Sequence, residues 1–75
     1  MNYFKLEYGE EKEITDIQAT ALIQGSTASS IDILDDDLCI VKFPINNVFI
    51  QCNWQQHYYR IILMCNANTR FIDNR

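Results

Sequence analysis

The first residues of the chain alternate between apolar and charged side chains. Phe4, Leu6 and Tyr8 are separated by single charged residues. An apolar period of two is typical of a strand with one buried face, so we predict a strand over residues 2–8. The glycine and the charged run that follow, residues 9–13, predict that the strand ends there in a solvated connection.

A helix start signal follows this connection. Thr15 and Gln18 have the spacing of a capping box, in which the threonine hydroxyl and the glutamine side chain each satisfy a free backbone N–H. Asp16 then lies in the first turn, where the helix dipole favours an acid. Gly25 is a suitable stop residue, so we predict one short helix over residues 16–24.

The second half of the chain predicts strands. Residues 38–43, 48–54 and 58–65 are rich in apolar and β-branched side chains and are separated by turn-forming residues. Residues 31–34 form either a separate short strand or the first arm of a hairpin. Residues 70–72 add a short edge strand at most.

This order of elements predicts an α+β fold. We expect an antiparallel sheet of four to five strands with one short helix packed on one face, in the order β-α-β-β-β. At 75 residues the chain has room for a single small domain, residues 1–75. A core of that size supplies only a few kcal/mol of net stability, so added burial against a partner would help.

Pleating places apolar side chains on both faces of the predicted sheet. The helix covers one face, and the predicted core there is Ile17, Ala21, Val41, Ile50, Cys52, Ile61 and Leu63. The other face then shows Leu38, Ile40, Phe49, Ile62 and Met64. These five are either ordinary scattered exposed residues or a contiguous face of a homodimer. Pairing through the edge of the strand 58–65 is a second route to a dimer.

The three cysteines are interpreted as core side chains. Cys39, Cys52 and Cys65 each lie in an apolar run, and their odd number and wide spacing match neither a disulfide framework nor a zinc site. Such thiols indicate a reducing compartment. No leader segment is visible, and the longest apolar run, residues 61–65, is too short to cross a membrane. We therefore expect a cytoplasmic location and no membrane partner.

The net charge of −4 is unevenly distributed along the chain. Residues 1–37 carry a net charge of −7, whereas residues 38–75 carry +3. The candidate acidic surface for binding a partner consists of Glu10, Glu11, Glu13, Asp32, Asp35, Asp36 and Asp37. The three consecutive aspartates lack the glycine and the spaced ligands of a calcium loop, so we expect a solvated turn there and no metal.

No residue pattern predicts catalysis. His57 is the single histidine, and no acidic residue lies near it in the sequence. The chain also lacks a phosphate-binding loop, a nucleophile elbow and a paired-carboxylate motif. We therefore expect a non-enzymatic protein without a cofactor, although a very small enzyme or ligand carrier built around His57 is one hypothesis to test.

The remaining features favour a protein-binding module. We predict a small acidic inhibitor or regulator that occupies a partner protein's surface; acidic mimics of nucleic acid encoded by phages and other mobile elements offer an analogy. The alternative is a single-stranded nucleic-acid-binding protein that uses Trp54, Tyr58, Arg60 and Arg70. The acidic excess of the whole chain argues against that alternative.

Overall fold

The computed structural model describes all 75 residues and contains six strands and two helices. The elements are β1 (Asn2–Glu7), β2 (Glu10–Ile14), α1 (Asp16–Ile23), β3 (Ser30–Ile33), β4 (Cys39–Lys42), β5 (Val48–Cys52), α2 (Trp54–Leu63) and β6 (Arg70–Asp73). They form an α+β fold with one sheet in the order β2-β1-β5-β4-β3-β6. No helix has the length and apolar character needed to cross a membrane.

The sheet is mixed, because β6 runs parallel to β3 while all other neighbouring strands are antiparallel. The predicted α+β class is therefore confirmed, but the predicted strand number, helix number and order β-α-β-β-β were wrong, and the sheet is mixed instead of purely antiparallel. Residues 31–34 proved to be the first arm of a hairpin with β4, and residues 70–72 an edge strand.

The charged residues predicted to form a solvated connection, residues 9–13, lie mostly in strand β2, which follows β1 after a two-residue turn. Tyr8 and Gly9 have φ angles of 51° and 76°, and the turn brings Glu7 opposite Glu10. Two successive left-handed residues give the turn type that best matches the twist of a hairpin. The charged run was misread as a loop because β2 is an edge strand, where solvent reaches charged side chains and they discourage pairing with other chains.

The first helix begins as the sequence predicts. The hydroxyl of Thr15 accepts a hydrogen bond from the Gln18 backbone N–H at 3.1 Å, and the Thr15 N–H donates to the Gln18 side chain at 3.0 Å. The helix ends at Ile23, and Gly25 follows with a φ angle of 77°. The predicted helix over 16–24 is therefore confirmed to within one residue.

The second helix replaces the predicted strand over residues 58–65 and also shortens the strand predicted to end at Trp54. The side chain of Asn53 caps α2 by accepting from the Gln56 N–H at 2.8 Å. Trp54 and Ile61, seven residues apart and hence about two turns, both point into the core. A short apolar run fits the period of a strand as well as that of a helix. The two turns of α1 are too short to cover one face of the six-stranded sheet, so a second helix is needed there.

The core lies between the two helices and one face of the sheet. It contains 13 buried residues, among them Val41, Ile50, Cys52 and Ile61 as predicted. Ile17, Ala21 and Leu63 were wrongly assigned to it: Ile17 is 83% exposed, Leu63 is 84% exposed, and Ala21 is also exposed.

Helix rotation explains these three errors. In α1 the buried residue is Ala19, flanked by the half-buried Leu22 and Ile23, so the inward stripe is offset from the one through Ile17 and Ala21. Residues two apart on a strand share a face, whereas on a helix they are about 200° apart. That rotation places Leu63 outward when Ile61 is inward.

Candidate interaction surface

One face of the sheet carries no helix. All buried strand residues project to the helical side, and the alternate residues project to the opposite side, which we call the open face. Its apolar residues are Phe4, Leu6, Ile40, Phe49 and Ile72. Leu6 is 43% exposed and the other four are half-buried.

An aromatic stack lies at the centre of the open face. Phe4 and Phe49 are directly opposite each other on β1 and β5, with ring centroids 5.1 Å apart and an interplanar angle of 14°. A shallow depression of about 390 Å³ adjoins Phe49, Leu6 and Ile40. The stack and the depression give this surface a contoured apolar centre that water covers in the isolated chain.

Charged side chains are arranged asymmetrically around this centre. One row across the sheet, from the β2 edge to the β6 edge, contains in order Glu13, Phe4, Phe49, Lys42, Ser30 and Arg70. Glu11 lies beside Leu6 in the neighbouring row. The open face is therefore acidic at the β2 edge, whereas from β4 towards β6 it carries the basic Lys42 and Arg70 together with the acidic Asp32.

The structure divides the apolar face expected from the sequence. Ile40 and Phe49 lie on the open face, and Leu38 lies just before β4, half-buried. Ile62 and Met64 are instead in the helical layer, where Ile62 is 37% exposed and Met64 packs against the core.

Three members of the open face were missed from the sequence, namely Phe4, Leu6 and Ile72. For Phe4 and Leu6 the signal was available in the alternation of residues 2–8. Without the strand order, however, nothing indicated that β1 lies beside β5 and contributes to the same surface.

The acidic residues form two separate groups. Glu10, Glu11 and Glu13 lie on β2, whereas Asp35, Asp36 and Asp37 lie in the loop between β3 and β4. Four strand spacings, about 19 Å, separate β2 from β3 in the sheet. Asp32 lies on the open face near β6 and accepts a hydrogen bond from the Asn74 side chain at 2.6 Å. One continuous acidic surface is therefore not present.

The loop with the three aspartates is held by hydrogen bonds. Asp36 pairs with Arg75 at 2.8 Å, and Asp37 accepts from the Asn53 side chain at 3.3 Å. Arg75 also holds Asp73 and lowers the pKa of that carboxyl to about 2 through hydrogen bonding. Arg75 thus neutralises part of the charge of this loop, and Asp35 and Asp37 remain its exposed unpaired acids.

The residues proposed for nucleic-acid binding do not share a surface. Trp54 is only 7% exposed and contacts Tyr58 and Phe71 edge-on, with centroid distances of 5.1 and 6.3 Å. Arg70 lies on the open face, on the other side of the sheet. Trp54 is therefore a core side chain and not a stacking platform for bases.

Arg60 is directed towards the beginning of the chain. Burial raises the pKa of the Tyr3 hydroxyl, Asp16 raises it further, and Arg60 opposes the shift. The three side chains thus lie close enough to interact where α1 and α2 meet β1. This position separates Arg60 from Arg70 as well.

The single histidine lies in the first turns of α2. His57 is half-buried in α2, and its Nδ1 lies 3.3 Å from the backbone oxygen of Asn53. No group of three or more histidine, cysteine, aspartate or glutamate side chains is arranged to hold a metal ion.

A second concave surface lies in the helical layer. It is a groove of about 730 Å³ between α1 and the end of α2, and its apolar lining consists of Ile17, Ala21, Ile23, Phe43, Leu63 and Met64. Unlike the open face, it contains no basic side chain among its lining residues. We call this surface the helix groove.

Comparison with known proteins adds no further constraint on the function. No family model matches this chain, and searches of curated proteins and of solved structures gave no significant match.

Proposed function

We propose that this chain is a non-enzymatic protein-binding module and that the open face is its docking surface. The observation that carries this proposal is the uncovered apolar centre around the Phe4–Phe49 stack, on a sheet whose other face is covered by helices. Contiguous apolar patches of this kind on small proteins mark interaction sites. The partner we assign to this surface is a second copy of the chain, in a twofold dimer.

The charge pattern of the open face supports self-association. A twofold axis parallel to the strands, between β1 and β5, would exchange β1 with β5 and β2 with β4 of the other copy. Phe4 of each copy would then lie over Phe49 of the other, and Glu13 would face Lys42. The acidic side chain of Glu13 at the β2 edge and the basic side chain of Lys42 on β4 are thus complementary between the two copies.

The size of the face sets the expected strength of the dimer. In this arrangement only β2, β1, β5 and β4 overlap, and three spacings of about 4.8 Å with strands of ~16 Å give a flat area of about 230 Å² per copy. Stable specific interfaces bury about 800 Å² per partner, so this face alone lies well below the standard size and supports only a weak dimer. We therefore expect a reversible dimer that dissociates at low micromolar concentration.

The dimer would leave the acidic loops exposed to another protein. Asp35 and Asp37 lie in the β3–β4 loop at the end of the sheet and not on the open face. We propose that this loop contacts a basic surface of a regulated partner, which the protein inhibits or modulates by occupation. The split between the two acidic groups favours a local contact over mimicry of a long nucleic-acid backbone.

Light scattering across a concentration series tests the self-association. We expect the mass to rise from 8.8 kDa towards twice that value as the concentration increases from about 10 µM to about 1 mM. Phe49→Lys should remain at the lower mass, because it places a charge at the centre of the interface. Leu63→Lys, in the helix groove, should associate like the unmodified chain.

A pair of charge reversals tests the arrangement of the two copies. Glu13→Lys and Lys42→Glu should each weaken the dimer several-fold, because each change affects two symmetry-related contacts. The double variant should recover much of the affinity. Loss of association in Leu63→Lys but not in Phe49→Lys would place the interface in the helix groove and contradict the proposal.

Copurification from the native host tests the role of the acidic loop. Asp35→Asn together with Asp37→Asn should release a partner that the unmodified protein retains, and raised salt should have the same effect. Glu10→Gln, on the far edge of the sheet, is the matched control. Retention that is independent of both salt and the loop aspartates would exclude the acidic contact.

A further inference from the structure

Two buried cysteines face each other inside the sheet. Cys39 on β4 and Cys52 on β5 are directly paired in the antiparallel register, and their Sγ atoms are 3.2 Å apart. Both are free thiols. Residues opposite each other on antiparallel strands have Cα atoms about 4.5–5.5 Å apart, which lies within the range that a disulfide spans.

We propose that Cys39 and Cys52 are an oxidation site, at which hydrogen peroxide converts the two thiols of the folded protein to an intramolecular disulfide. The proposal rests on the register and on the contact between the two sulfur atoms. It is independent of the dimer proposed above, because both side chains project to the helical side of the sheet and not to the open face.

The reaction proceeds in two balanced steps. The Cys52 thiolate attacks one oxygen of the peroxide and breaks the O–O bond; the departing hydroxide takes up a proton to give water, and Cys52 becomes a sulfenic acid. The sulfur of Cys39 then attacks the Cys52 sulfur and expels the hydroxyl group, which leaves with the thiol proton as a second water. The two thiols lose two electrons, and the peroxide is reduced to two waters.

Accessibility assigns the first step to Cys52. Its residue is 7% exposed, whereas Cys39 is completely buried, so a small oxidant reaches Cys52 first. Burial raises the pKa of both thiols, to about 12 for Cys39, while the hydrogen bond with Cys39, the N-terminal amine and Arg60 oppose the shift at Cys52. The thiolate is scarce at neutral pH, so the reaction is slow and accelerates as the pH rises.

The third cysteine is a natural internal control. Cys65 lies after α2, and its thiol donates to the backbone oxygen of Ile61 at 3.2 Å. It has no cysteine partner in contact. We therefore expect Cys65 to remain outside the disulfide.

Intact mass and peptide mapping after peroxide treatment test the proposal. We expect the folded chain to lose two hydrogen atoms, to fall from three free thiols to one, and to yield a linked pair of peptides containing Cys39 and Cys52. The melting temperature should rise, because the bond closes the loop between β4 and β5, and dithiothreitol should reverse both changes. Cys65→Ser should behave identically.

Two variants separate the steps. Cys39→Ala should leave a Cys52 sulfenic acid that dimedone traps, and Cys52→Ala should give no trapped product in the core. Because either change could impair folding, the unmodified protein supplies the decisive measurement. Linkage through Cys65, or three intact thiols at a peroxide dose that fully oxidises the urea-unfolded chain, would overturn the proposal.

Discussion

Truncating Ile61 and Leu63 separately distinguishes the helix of this structure from the strand that the sequence suggests. On a strand, these two residues share a face and both would be buried. In α2, Ile61 is completely buried and Leu63 is 84% exposed. The two single substitutions to alanine each remove three carbon atoms and differ chiefly in environment.

The structure sets the expected magnitudes. Ile61→Ala removes three carbon atoms from the core, which at about 0.8 kcal/mol per methylene loses ~2.4 kcal/mol of transfer free energy. The cavity that remains raises the total cost to between ~2 and ~5 kcal/mol. Leu63→Ala should change the free energy of unfolding by less than about 0.5 kcal/mol, because alanine keeps the helix propensity and little surface is lost from the core.

Urea unfolding followed by Trp54 fluorescence measures both values. Trp54 is the single tryptophan and is 7% exposed, so its emission should shift when the chain unfolds. All proteins are compared at one concentration, since a dimer makes the apparent stability concentration-dependent. Equal costs at the two positions, or a larger cost for Leu63→Ala, would show that residues 54–63 do not form this helix.

Three further predictions concern caps, turns and titration. Thr15→Ala should destabilise the protein by about 1 kcal/mol through loss of the capping box, while the exposed mid-helix change Thr20→Ala should stay within ~0.5 kcal/mol in the same urea assay. Gly9→Ala should cost about 1 kcal/mol because a φ of 76° strains any residue with a Cβ, and amide exchange should show faster opening of β2. Burial raises the pKa of the Cys39 thiol from 9 to about 12, so the folded state holds this proton more tightly than the unfolded state. The contribution of this thiol to the free energy of unfolding should be fully present below about pH 9 and should be lost as the pH rises towards 12. Cys39→Val should reduce that alkaline decline in thermal melts run with a reductant, and an unchanged profile would contradict the assignment to this thiol.

The sequence by itself determined the features whose causes lie within a few residues. Thr15 and Gln18 start α1 because their side chains reach N–H groups three positions away. The alternation in β4 and β5 identified the buried Val41, Ile50 and Cys52, because pleating is a local property of a strand. The turn before β2 and the cap at Asn53 before α2 are local signals too. The sequence was equally compatible with a charged connection at residues 9–13 and with a strand at residues 58–65.

Only the tertiary structure decided between those readings and assembled the surfaces. The apolar run after Asn53 became a helix because one face of the wide sheet needs a second helix beside α1 to cover it. As a result, Ile62 and Met64 lie in the helical layer and not on the open face. The strand order, which no local pattern contains, brought Phe4 beside Phe49 and placed the two acidic groups far apart. Contacts between residues distant in the chain depend on which strands become neighbours, and that choice is made by burial over the whole domain.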